Sequence, residues 1–193
     1  MIVHVNTFGL SGIKGFYVNA EVNLSKGLPY FDIIGMGNTA VKESAGRIKP
    51  ALENSGYNFP LGKITVNLAP ASIKKEGSYF DLAIAIGILK CCGSISDSIK
   101  DFSFIGELSL DGHIRPVKGI LPMILESLSQ GITKCIVPVE NAYEASLVEK
   151  CDIFPSATIK EAINIIQHHS KSWKSYNLAN EASYKFPDYP FCF

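Results

Sequence analysis

The sequence predicts an α/β domain on a mixed β-sheet, because strands come first and helical and strand patterns then alternate to about residue 168. The segment 62–91, GKITVNLAPASIKKEGSYFDLAIAIGILKC, shows both periods side by side. Ile64, Val66 and Leu68 alternate with Thr65 and Asn67, as in a strand with one buried face. After the Pro70 break and a loop bearing Lys74, Lys75 and Glu76, residues 82–89 are apolar nearly all round, as in a helix buried on most sides.

The other elements follow in order. Ile2 to Phe8 is apolar at alternate positions, and Phe16, Val18, Ala20, Val22 and Leu24 make the clearest half-buried strand. Gly27-Leu28-Pro29 is a turn before a short strand, Tyr30 to Gly35. Asn38 or Thr39 caps a helix running to about Ser55, with Val41, Ala45, Ile48 and Leu52 on its buried face and a kink expected at Pro50. Phe104 to Leu110 and His113 to Val117 flank Asp111-Gly112, a hairpin signal. A helix from Leu121 to Ser129, a strand at Cys135 to Val137, a helix from Asn141 to Glu149 and a strand at Cys151 to Phe154 come next. Ile159, Ala162, Ile163, Ile165 and Ile166 give the closing helix its apolar face. The pattern stops at Ser170, so 1–169 reads as one domain and 170–193, polar and aromatic with two prolines, as a linker or truncated tail.

At 193 residues the chain can bury a full core, about 70% of its unfolded surface. Its 18 basic and 18 acidic side chains cancel, so no global field draws it to nucleic acid or an anionic membrane, and any DNA contact must be local. The five cysteines include no CxxC pair, and the first residues carry no signal-peptide pattern; a cytoplasmic protein without membrane spans is expected. No GxxxxGK[ST] string occurs; the nearest imitation, Gly37 to Lys42, lacks the second glycine and the following hydroxyl residue. His113 and the pair His168-His169 have no cysteine or carboxylate partners at ligand spacing, so no metal site is expected.

Three ordered blocks carry a resemblance: FGLSGIKGFYVNAEVNLSKGLPYFDIIGMGNTAVKESAGRIKPALENSGYNFP, KITVNLAPASIKKEGSYFDLAIAIGIL and FIGELSLDGHIRPVKGILPM. The chain resembles the N-terminal, Lon-like (ChlI-type) domain of the YifB/ComM family of magnesium-chelatase-related AAA+ proteins, and more distantly the Lon protease domain. The resemblance implies the ribosomal S5 domain 2-like fold of the Lon type. It further implies that an AAA+ ATPase domain, absent from these residues, supplies ATP and Mg²⁺ binding, that longer members act on DNA as ring-shaped motors, and that the ComM branch drives branch migration in natural transformation. No cofactor is expected in this chain itself; a homo-oligomer is expected in the longer context, and DNA is a candidate partner.

Lon-type peptidases place a serine at the start of the buried helix and a desolvated lysine as its general base after the hairpin. On this sequence those positions fall on Tyr79 and Leu121, so the resemblance carries the fold without the dyad. A Ser-Lys peptidase would need the shifted pair Ser78 and Lys118. Asp81, at the start of the helix, fits a structural role against the helix dipole. Lys74, Lys75, Arg115 and Lys118 form a small basic patch for a phosphate backbone if loop and hairpin lie together, as the resemblance implies. The expected function is a non-catalytic assembly or DNA-proximal module. The alternatives are the shifted peptidase and a stand-alone scaffold that binds proteins through a sheet edge or the aromatic segment Tyr184 to Phe193.

Overall fold

In the computed structural model, which describes residues 1–35 and 37–168, seven strands form one mixed sheet in the order Tyr30–Ile34, Lys63–Ala69, Lys14–Ser25, Ile2–Ser11, Phe102–Phe104, Lys134–Pro138, Asp152–Ser156. β1 (Ile2–Ser11) and β2 (Lys14–Ser25) are a long antiparallel hairpin, and β4 (Lys63–Ala69) joins β2 antiparallel. β3 (Tyr30–Ile34) lies parallel to β4 at one edge. On the far side of β1 the ladder is parallel throughout, through β5 (Phe102–Phe104), β8 (Lys134–Pro138) and β9 (Asp152–Ser156). β1 thus joins the two halves, and Asn6 pairs with Ser103 across the join.

Strand alternation sends side chains to two cores. Val3, Val5, Val18, Ala20, Val22, Ile64, Val66 and Leu68 pack under α1 (Thr39–Asn54), α2 (Asp81–Cys91) and α5 (Ile159–His168). Phe8, Cys135, Val137 and Ile153 point the other way, to α3 (Ile120–Ser129) and α4 (Ala142–Ser146). α2 is buried from Asp81 through Leu89, as its uniformly apolar sequence demands. A Cβ on Gly87 would stand 3.1 Å from Val5 Cγ2, so glycine lets this helix lie close on the hairpin.

The α/β architecture with a mixed sheet is the one expected. α1 starts at the expected place: the Asn38 side chain accepts the Val41 N–H at 3.2 Å, and the helix continues through Pro50 to Asn54. Two elements differ from the sequence reading. The strand expected over Phe104 to Leu110 divides, with β5 in the sheet and β6 (Glu107–Leu108) pairing with β7 (Ile114–Arg115) in a separate ribbon. The chain leaves the sheet because Gly106 turns to the start of α2: its N–H donates to Tyr79 O at 3.0 Å and its carbonyl accepts from Leu82 N at 3.1 Å. The helix expected over Asn141 to Glu149 is a 3₁₀ turn, Val139–Asn141, followed by the short α4, with Asn141 bonded to Val117 just before α3 and Glu144 to Leu121 in its first turn. The tail expectation for 170–193, and His169, lie outside the described residues. No helix among the described residues is long and apolar enough to cross a membrane.

Candidate functional site

Asp81 opens α2 with none of its side chain exposed, and it is the centre of a polar network that ties α1, α2 and the β6–β7 ribbon together. Arg47 of α1 grips it with two bonds, Nε to Oδ2 at 2.8 Å and a terminal guanidinium nitrogen to Oδ1 at 3.2 Å. Ser44 Oγ, one turn earlier on α1, donates to Oδ1, and the Leu108 N–H of β6 donates to Oδ2 at 3.2 Å. The guanidinium also reaches Ser44 Oγ at 3.1 Å and Ala40 O at 3.2 Å, so it is held from both helices. Burial pushes the Asp81 carboxyl up, while the Arg47 and Ser44 bonds and the Leu108 N–H pull it down. With these donors and an adjacent cation, the ionised form is the one the geometry accommodates. Asp81 therefore fastens three elements by tertiary bonds, where the sequence suggested only a helix-dipole contact; no N–H of its own helix is bonded to its side chain.

A second layer lies beside it. Ser78 Oγ donates to Glu107 Oε2, and Arg115 reaches Glu107 Oε1 at 3.5 Å across the ribbon. The Ser78 hydroxyl proton thus points to a carboxylate, whereas Lys118 is exposed and pairs with no acid among the described residues.

The two positions that the resemblance assigns to a Lon-type dyad are occupied by packed side chains. Tyr79 lies half-buried against both cores, edge-on to Phe80 with ring centroids 6.0 Å apart, and burial raises its phenol pKa. Leu121 packs on the second core. Its N–H donates to Glu144 Oε1 at 3.2 Å, and Asn141 brackets Val117, accepting its N–H at 2.8 Å and donating to its carbonyl at 2.9 Å. Thus the segment 117–121 is fixed by side-chain bonds that mimic a strand ladder.

The basic patch is smaller than the sequence suggested. Lys75 is fully buried: its Nζ donates to Pro70 O and desolvation lowers its pKa. It leaves the set of surface cations because its loop folds back onto α1, where Gly37 bridges to Lys75 and Asn38 N donates to Lys75 O at 2.9 Å. Lys74 is exposed and paired with Glu76 at 2.6 Å, and Arg115 shares Glu107. In the Gly37 to Lys42 imitation three N–H groups are bonded internally: Asn38 to Lys75 O, Val41 to the Asn38 side chain and Lys42 to Asn38 O.

Arg47, Ser44, Glu107, Asn141 and Glu144 were not singled out by the sequence. One signal was available: Arg47 is one of only two arginines and lies three residues after Ser44 on a helix whose apolar face includes Ile48. Nothing local marks Asn141 or Glu144, whose partners are 24 and 23 residues distant, and Glu107 meets Ser78 29 residues away as well as Arg115 eight residues on.

On the hairpin, His113 Nδ1 meets Asp111 at 3.1 Å, and Ser109 Oγ donates to the same carboxylate. The Ser109 bond, then the His113 N–H and ring, hold the Asp111 carboxyl down at about 2. With a folded pKa below the unfolded one, this group's stabilisation is present above the ordinary value of 3.8 and is lost as pH falls through about 2. An NMR titration is expected to place the Asp111 midpoint near 2, and Ser109→Ala to move it toward 3.8. Among the described residues no three His, Cys, Asp or Glu side chains converge as a metal site.

The chain is 36% identical over 176 residues to competence protein ComM of Haemophilus influenzae, covering 91% of this chain and 34% of that protein. It is 39% identical over 147 residues to YifB of Salmonella typhimurium, covering 76% of this chain and 29% of that one. A peroxisomal Lon protease homologue of Caenorhabditis elegans is 25% identical over 175 residues, 84% of this chain. The chain therefore spans about a third of the length of these ComM and YifB relatives. Residues 20–141 match the family described as subunit ChlI of Mg-chelatase, and the chain belongs to that family.

Proposed function

We propose that this chain is a non-catalytic, Lon-like N-terminal domain, acting as an assembly and DNA-proximal module of a longer magnesium-chelatase-related AAA+ protein. The observation that carries the reading is the filling of both dyad positions, Tyr79 and Leu121, by side chains packed on the cores. ATP and Mg²⁺ binding belong, in this reading, to the rest of the longer protein. The competence name of one relative fits a role beside DNA. A homo-oligomer of the longer protein is part of the same proposal, since a ring-shaped motor needs several copies of the domain. The Ser78/Lys118 peptidase is the weaker reading, because Ser78 donates its proton to Glu107 and not to a lysine, while Lys118 is exposed.

The remaining DNA contacts are assigned to Lys74, Arg115 and Lys118, all exposed. Fluorescence anisotropy with single-stranded and forked DNA over a salt series tests this. Salt-dependent binding is expected, with log K falling less steeply with log salt in the triple alanine variant, by about 2 for single strands. Binding that the triple variant retains unchanged would move the contact elsewhere, and no binding at low salt would leave assembly alone.

A further inference from the structure

The two edges of the seven-stranded sheet are finished differently. At the β9 edge the Asp152 N–H donates to Thr133 O at 2.7 Å, so Ile153 and Pro155 face outward. Pro155 has no N–H, which blunts that edge. At the β3 edge the Tyr30 N–H donates to Gly62 O at 3.2 Å, so Tyr30, Asp32 and Ile34 bond to β4, and Phe31 and Ile33 turn both N–H and C=O outward. Among the described residues no other hydrogen bond is made to these four groups. Side chains add to the difference. Ile33 sits in the core under α1, whereas Tyr30 and Ile34 are exposed on the opposite face, with Leu28 and Leu61 exposed at the start of the strand.

A second copy of this strand is a poor occupant of the edge. Pairing β3 with itself antiparallel about Asp32 sets two Asp32 carboxylates directly opposite, in the close, non-hydrogen-bonded position where like charges repel. Centring the pair on Phe31 puts Pro29, which has no N–H, against Ile33. Centring it on Ile33 puts Gly35 against Phe31, and the Gly35 φ of 104° is outside the strand region. The same Asp32 suits a different strand. Among the described residues its carboxylate makes no ion pair and no hydrogen bond. Lys63 stands over the Tyr30 ring, 5.9 Å from its centre, and Lys42 shares with Asp32 the lining of a hollow of about 330 Å³, but neither pairs with it.

We propose that the β3 edge docks an extended protein segment, which adds to the sheet antiparallel to β3 and carries a lysine or arginine between two apolar residues at alternate positions. Phe31 and Ile33 supply the backbone bonds, as in other cases of strand addition. The basic residue falls opposite Asp32 in the close pair, where cross-strand side chains interact most directly. Its apolar neighbours, two residues to either side, cover Tyr30 and Ile34. A segment with an acidic centre meets Asp32 with a like charge and is disfavoured.

The test follows the amide signals of the full chain by NMR during titration with the peptide STVTKTVTS, capped at both ends. The Phe31 and Ile33 signals are expected to shift and their amide exchange to slow. The peptide with glutamate in place of lysine is expected to bind about tenfold more weakly. Asp32→Lys is expected to reverse that preference, a result that loss of folding cannot mimic. N-methylation of the two threonines beside the lysine, which face Phe31 and Ile33, is expected to abolish binding. Equal binding of the two peptides, shifts confined to other residues, or no shift at all would overturn the site. So would a dimer of the free chain in sedimentation that Ile34→Lys disperses, because the edge would then belong to a second copy.

Discussion

Arg47→Leu is expected to destabilise the domain by about 3 kcal/mol in urea unfolding. The substitution removes both guanidinium bonds to Asp81 and leaves a carboxylate with no exposed surface without its counter-charge. Ser44 Oγ and the Leu108 N–H remain, so the carboxylate keeps two donors and the cost falls at the low end of the range for a broken buried pair. Arg47→Lys is expected to recover only part of the loss, because an ammonium cannot bridge both carboxylate oxygens while also holding Ala40 O. A loss below about 0.5 kcal/mol, the size of an ordinary surface change, would show that the network does not fasten the three elements.

Tyr79→Ser, which restores a serine at the peptidase position, is expected to cost about 2 to 3 kcal/mol and to yield no peptidase activity. The ring packs against both cores and edge-on to Phe80, so its loss opens a cavity at their junction. The partner position would still be Leu121, on the second core, with its N–H held by Glu144. Adding Leu121→Lys places an ammonium where Glu144 is the nearest named acid, and pairing with that carboxylate stabilises the protonated form rather than the neutral base. Turnover of a casein substrate by the double variant, together with labelling of residue 79 by a serine-reactive phosphonate, would refute this account of the lost chemistry.

Elements with a strong period were legible in the sequence. The alternation in β2 and β4, the uniformly apolar α2 and the Asn38 cap stand where the pattern puts them, because each reports burial or capping within a few residues. The Asp111-Gly112 hairpin was legible, but its separation from the sheet was not, because that departure involves Gly106 bonding to residues 79 and 82, a contact without local trace. Site residues followed the same division. The lack of a serine and lysine at the dyad positions is visible in the string, but the burial of Lys75 depends on the return of its loop to Gly37 and Asn38. Likewise Asp81 looked like a dipole contact because its partner Arg47 is 34 residues earlier.

The join between Asn6 and Ser103 has a consequence for synthesis. A ribosome adding about 5 to 20 residues per second finishes the β1–β2 hairpin long before it makes β5. One side of β1 must then wait some 97 residues for its partner. Meanwhile the nascent chain shows a long strand with unpaired backbone on one side, a template for wrong pairing. The slow, non-local closure of this seam is the step at which a chaperone, or a pause in translation after residue 104, would most change the yield of folded protein.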